Sequence, residues 1–181
     1  MVSANADYPQ RLSWRTTARR TAALINVLSD RPEPVAVRQV LREHGEDDDL
    51  VVTRADVDAM SSAARRLRPI FAADDLEQAA SVLNRLLAGT AHLRLTSHQG
   101  RTAWHPHLDG DDDAPLGDWF LASSCFTLAV LIWDRQQLPG GVCAAHGCDH
   151  VYLAIGNGHP QRYCSRRCAT RERVAAYRGR S

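Results

Sequence analysis

Cys143-Ala-Ala-His-Gly-Cys148 is followed, after fifteen residues, by Cys164-Ser-Arg-Arg-Cys168. Zinc takes four ligands at about 2.3 Å for sulfur, and two cysteine pairs in short turns supply a closed tetrahedral site with no open position for a substrate. Four cysteines within 26 residues therefore point to one structural Zn2+ held by Cys143, Cys148, Cys164 and Cys168, rather than to buried free thiols. His146, His150 and His159 lie in or near the same turns. With four thiolates at hand they are expected outside the ligand set, His146 or His150 next to it. Between the pairs, His150 to Ile155 reads as a strand and Gly156 to Pro160 as a turn, returning through Gln161-Arg-Tyr163. A knuckle, a hairpin and a helix around one metal make a treble-clef-like plan.

The second pair opens a run free of proline and rich in helix formers, ending near Gly179. At about 100° per residue, Arg167, Arg171 and Arg178 form one stripe and Arg166, Arg173 and Arg180 another. Cys168, Glu172 and Ala175 face the metal, while Thr170, Val174 and Tyr177 lie between the stripes. Two arginine rows suit phosphate contacts, with Tyr177 able to stack or hydrogen-bond, so DNA is the expected partner. A solvated charged face at a chain end carries the same residues; the single acid in the row, Glu172, weighs toward a polyanion.

A chain of 181 residues with 44% hydrophobic content accommodates one sizeable core and a small appended module. The division expected is a mainly helical domain with a β-hairpin over residues 1–138 and a zinc finger over 139–181, an α+β chain. Charge divides the same way. Residues 143–181 hold seven arginines against Asp149 and Glu172, a balance of +5, whereas 1–142 hold fifteen against nineteen acids, or −4. All 22 basic residues are arginine. Because arginine also dominates the acidic body, this is a compositional bias rather than selection for phosphate. No stretch approaches the roughly 20 apolar residues of a membrane span, and Met1 precedes a polar segment, so a cytoplasmic location is expected. In a reducing compartment paired cysteines mean metal rather than disulfides. Cys125, alone in an apolar run, reads as a buried structural thiol.

Along the body, Ala18, Ala22, Ile25 and Leu28 space a first helix ended by Pro32 and Pro34, and Val35 to Glu43 a second closed by Gly45. Glu46 to Asp49 reads as a solvated acidic loop. Thr53 with Asp56 predicts a capping box on a helix with Val57, Met60, Ala64, Leu67 and Phe71 inward, interrupted near Pro69, and Asp74 with Glu77 a further cap on a helix that stops at Gly89. Alternation from His92 to Pro106 around His98-Gln-Gly100 predicts a β-hairpin. After Pro115 comes a strongly apolar helix including Trp119, Phe126, Leu128 and Trp133, the expected spine of the core, broken by Leu138-Pro-Gly-Gly141. Asn26, polar in an apolar run, is a candidate ligand contact for which a structural hydrogen bond is the stronger reading. His105 and His107 near Asp109 and Asp111 are expected to be ordinary surface residues.

The stretch Val142 to Arg180 resembles the CGNR zinc finger, named for the tetrapeptide at its fourth cysteine. Here that tetrapeptide is Cys168-Ala169-Thr170-Arg171, with alanine for glycine and threonine for asparagine. Gln161-Arg-Tyr163-Cys164-Ser165 and Val174-Ala-Ala-Tyr177-Arg178-Gly-Arg180 are also similar. By the order of its elements the remainder resembles the ABATE domain that precedes this finger. The resemblance implies a stress-induced bacterial transcription regulator, its finger on DNA and its larger domain sensing a small-molecule effector or mediating assembly.

The alternative from another class is a zinc-stabilised interaction module docking on an acidic protein. An enzyme is not expected: the chain has no phosphate-cradling glycine loop, no nucleophile elbow and no metalloprotease helix motif, and nuclease chemistry needs an open metal. A homodimer would enlarge the small contact area of one finger.

Overall fold

Caps and apolar spacing set the helices. The computed structural model describes residues 14–30, 32–47, 49–89, 92–97, 104–108, 113–156 and 161–179. Helix α1 (Trp14–Val27) buries Ala18, Ala22, Leu24 and Ile25. Proline with its fixed φ suits a first helical turn, so Pro34 opens α2 (Pro34–Glu43) as well as closing what precedes it. Gly45 follows at φ 86°, a conformation that favours glycine.

The capping box on α3 (Arg54–Phe71) is formed: the Thr53 hydroxyl accepts the Asp56 N–H, and the Asp56 carboxylate accepts the Thr53 N–H at 2.9 Å. The expected interruption at Pro69 does not occur. Proline here forfeits one backbone bond in the last turn, and the fully buried Ile70 and Phe71 hold that turn on the core. The cap of α4 (Leu76–Leu87) lies one residue beyond the expected Asp74. Asp75 accepts the Gln78 N–H at 2.8 Å, while the Gln78 side chain accepts the Asp74 N–H.

Strands β1 (Arg94–Thr96) and β2 (His105–His107) pair antiparallel, Leu95 opposite Pro106. The expected turn at His98 to Gly100, and Thr102, lie outside the described residues. Helix α5 (Leu116–Arg135) packs against α1, α3 and α4 with Phe120, Cys125, Leu128 and Leu131 buried. A Cβ on Gly117 would stand 2.8 Å from the Ala59 Cβ, so glycine lets α5 and α3 close on each other. By length and composition α5 matches a bilayer span, correcting the expectation that no stretch approaches one; about half of it is buried in the protein's own core. Trp133, expected in that core, is exposed. The helix stops at Gln136, whose φ is 50°, before the Leu138-Pro-Gly-Gly141 breaker.

Gly140–Val142 is itself strand β3, antiparallel to β4 (Val151–Leu153) with Gly140 opposite Leu153. The partner of β4 is therefore the segment before the first cysteine pair and not 161–163. The loop between β3 and β4 carries that pair and is closed by Cys143 N–H to the His150 carbonyl at 2.8 Å. Helix α6 (Arg166–Arg178) ends the described chain. One apolar core joins α1 to α5 and extends through Val151 and Leu153, so β4 packs with the helical body.

Candidate metal centre and exposed basic helix

The hairpin β3–β4 positions the first cysteine pair and the start of α6 the second. Ser165 caps α6, its hydroxyl accepting the Cys168 N–H at 3.2 Å, which seats Cys164 before the helix and Cys168 in its first turn. Gly147, at φ 65°, turns the chain between Cys143 and Cys148. All four Sγ atoms lie within 4.8 Å of one another. Cys148 and Cys164, and Cys164 and Cys168, are 3.7 Å apart, and Cys168 and Cys148 3.8 Å. Sulfurs at about 2.3 Å from a tetrahedral ion stand roughly 3.8 Å from each other, so the quartet fits one zinc with no ligand left to find.

The thiols' surroundings agree with that. Burial raises Cys143, yet N–H donors from Cys164 (3.3 Å) and Ala145 and the neighbouring thiols bring it down to about 7. Burial and then the sulfurs of Cys168, Cys143 and Cys148 push Cys164 up to about 12. Four thiolates this close would need a cation, and a divalent metal would supply one. The His150 Nδ1 is 3.9 Å from Cys164 Sγ and its Nε2 is 3.8 Å from Asp30 of the body, so His150 stands next to the quartet and outside it. His159 lies outside the described residues.

Asn26 is the clasp between body and finger. Its side-chain amide accepts the Val151 N–H at 2.7 Å and donates to the Val151 carbonyl at 3.0 Å, acting as one residue of a neighbouring strand. That is the structural hydrogen bond expected of it. Arg68 on α3 adds a bond to the Asp149 carbonyl, and Arg135 on α5 one to that of Ile155.

The near end of α6 is braced on the knuckle: Glu172 accepts the His146 N–H at 2.9 Å, and Arg171 donates to the His146 carbonyl at 2.9 Å. The last letter of the tetrapeptide is thus engaged inside the finger. Arg173 donates to the Thr170 hydroxyl. From Arg173 to Gly179 every residue is exposed, including Val174 and Tyr177. Ala175, expected toward the metal, is exposed with them, because the knuckle reaches only the first two turns. Arg166, Arg167, Arg171, Arg173, Tyr177 and Arg178 all present themselves to solvent; Arg180 lies outside the described residues.

Sequence reasoning missed a buried network in the body. Arg20 is 4% exposed, pairs with Glu46, donates to Ser123 at 3.1 Å and stacks on Trp119. Glu46, read as part of a solvated loop, is its counter-charge. No local signal links residues that far apart in the chain. Cys125 is buried as expected, and burial pushes its thiol up to about 12. His105 and His107 are half-buried at the surface of the hairpin, their Nε2 atoms 3.0 Å apart; Asp109 and Asp111 lie outside the described residues.

Residues 141–181 match the family model described as CGNR zinc finger, and the match spans the cysteine quartet and α6. No curated protein matches the chain.

Proposed function

We propose that this protein is a DNA-binding transcription regulator in which a zinc-held finger of treble-clef plan offers α6 to the double helix. The observation that carries this reading is a helix fixed at its metal end and exposed on all sides from Arg173 onward, with five arginines among its described residues and its one acid turned to the knuckle. A rod about 10–12 Å across with side chains is of a width that the major groove admits. Arg166, Arg167 and Arg178 are its phosphate contacts, and Tyr177 a stacking or hydrogen-bonding group. Arg171, bound to His146, serves first to set the helix on the knuckle. The helical body, read as an ABATE-like domain from the order of its elements, holds the finger through Asn26 and senses an effector in the bacterial cytoplasm.

The test is fluorescence anisotropy of the zinc-loaded full chain on genomic duplex fragments over a range of salt. Affinity should fall linearly on a log–log scale, and the Arg166→Ala, Arg167→Ala, Arg178→Ala triple variant should reduce the slope by about 2–3. DNA affinity unchanged in that variant overturns the reading. Salt-sensitive capture of an acidic protein without DNA binding would select the interaction-module alternative.

A further inference from the structure

Helix α6 carries an uncharged strip on the side turned away from the knuckle. At about 100° per residue, Cys168 and Glu172 mark the side held by the first cysteine loop, and Thr170, Val174 and Tyr177 stand about 180° from it. All three are exposed, Val174 by 43% and Tyr177 by 70%, and the Thr170 hydroxyl accepts a bond from Arg173 at 3.1 Å. Two arginine rows border the strip, Arg167 and Arg178 on one flank and Arg166 and Arg173 on the other, about 120° apart around the axis. The acid of this helix, Glu172, is on the opposite side and bound to the His146 N–H.

Two positive rims around an uncharged centre complement a surface with two negative rims and a floor between them. The major groove of duplex DNA is such a surface, with a phosphate backbone on each side and base edges below. A lipid surface fits less well, because one valine and one tyrosine bury too little apolar area to hold a helix in it. On the groove floor Val174 has one favourable neighbour. Its isopropyl group neither donates nor accepts a hydrogen bond, so against the polar atoms of a base edge it strips away water and returns nothing, whereas the C5 methyl of thymine gives it an apolar partner. Thr170 to Tyr177 covers about 10 Å along the axis, or roughly three base pairs, with Val174 near the middle.

We infer that Val174 is a specificity-determining residue of α6 and packs on a thymine methyl in the major groove. The inference rests on the DNA-binding reading above and adds the base preference that reading lacks, because phosphate contacts from the arginine rows are blind to sequence.

Fluorescence anisotropy of the zinc-loaded full chain tests it on two duplexes of about 20 bp, one of alternating dA and dT, the other identical but with dU for every dT, which deletes only the C5 methyl. The dT duplex should bind about 4-fold more tightly, the worth of one methyl removed from water. Val174→Ala, which withdraws both γ methyls from the groove floor, should bring that ratio close to unity. Its affinity for the dU duplex, helical ellipticity and zinc content should match wild type, because Val174 is a surface residue. Val174→Ile keeps the branched apolar tip and should preserve the ratio. Equal affinity of the wild-type chain for the two duplexes overturns the inference and leaves the proposed function standing. A dT preference that survives Val174→Ala overturns it too. Absence of binding to either duplex at low salt overturns both.

Discussion

The helical body and the finger are held together by different physics. In the body, α1 to α5 enclose a continuous core in which Leu24, Leu41, Met60, Leu67, Ile70, Phe120 and Leu128 are wholly buried. In the finger the buried cluster is Cys143, Ala145 and Cys168, flanked by Cys148, Tyr163 and Cys164. So small a cluster cannot offset the conformational entropy of ordering its loops and α6, and metal coordination has to supply the difference. The hairpin β3–β4 straddles the two: Val151 belongs to the body's core, while the loop that β3 and β4 support carries half of the metal site. The finger is a graft whose root is hydrophobic and whose tip is a cysteine quartet that could hold a metal ion.

Stripping the metal is the strongest way to separate the regions. Structural zinc contributes about 10–16 kcal/mol to finger folding at neutral pH. Chelation should therefore melt α6 and the Cys143–Cys148 loop while β4 and the helices stay folded, seen as lost helical ellipticity and as amide-exchange protection surviving in α3 and α5. Metal entry must displace protons from thiols that burial and neighbouring sulfurs hold above their usual range, Cys148 and Cys164, so loading should weaken as pH is lowered. Global unfolding on chelation would show that the two regions are one cooperative unit.

Leu128→Ala should cost about 2–5 kcal/mol in denaturant unfolding of the body, whereas Val174→Ala on α6 should change stability by less than about 0.5 kcal/mol. Replacing Asn26 by leucine leaves the Val151 N–H and carbonyl without their clasp. The expected loss is about 1–3 kcal/mol, and faster exchange should appear at Val151 before it appears in α3. The mildest test compares like with like. Thr53→Ala and Ser165→Ala each remove a helix cap worth about 1 kcal/mol, but the first should lower the melting of the body and the second only metal retention in the finger.

Much of this was legible in the chain. The cysteine spacing marked the metal quartet, the helix periods placed Val57, Met60, Ala64, Leu67 and Phe71 inward, and Thr53 with Asp56 marked a cap that formed. Such features depend on neighbours within a turn or two, where backbone geometry leaves few options. The errors have the same cause in reverse. Pro69 was read as a break because the rule is local, while the burial of Ile70 and Phe71 that overrides it is not.

Residue type and short spacing alone determined a cysteine quartet placed to hold a metal, the arginine helix and the helical character of the body. Only the packed fold decided that Asn26 would serve as a strand for Val151, that Glu46 would turn in to neutralise Arg20, and which side of the β1–β2 hairpin would meet water. Those outcomes join residues brought together only by assembly of the core, and the free energy of a buried charge, amide or leucine depends on what else arrives there.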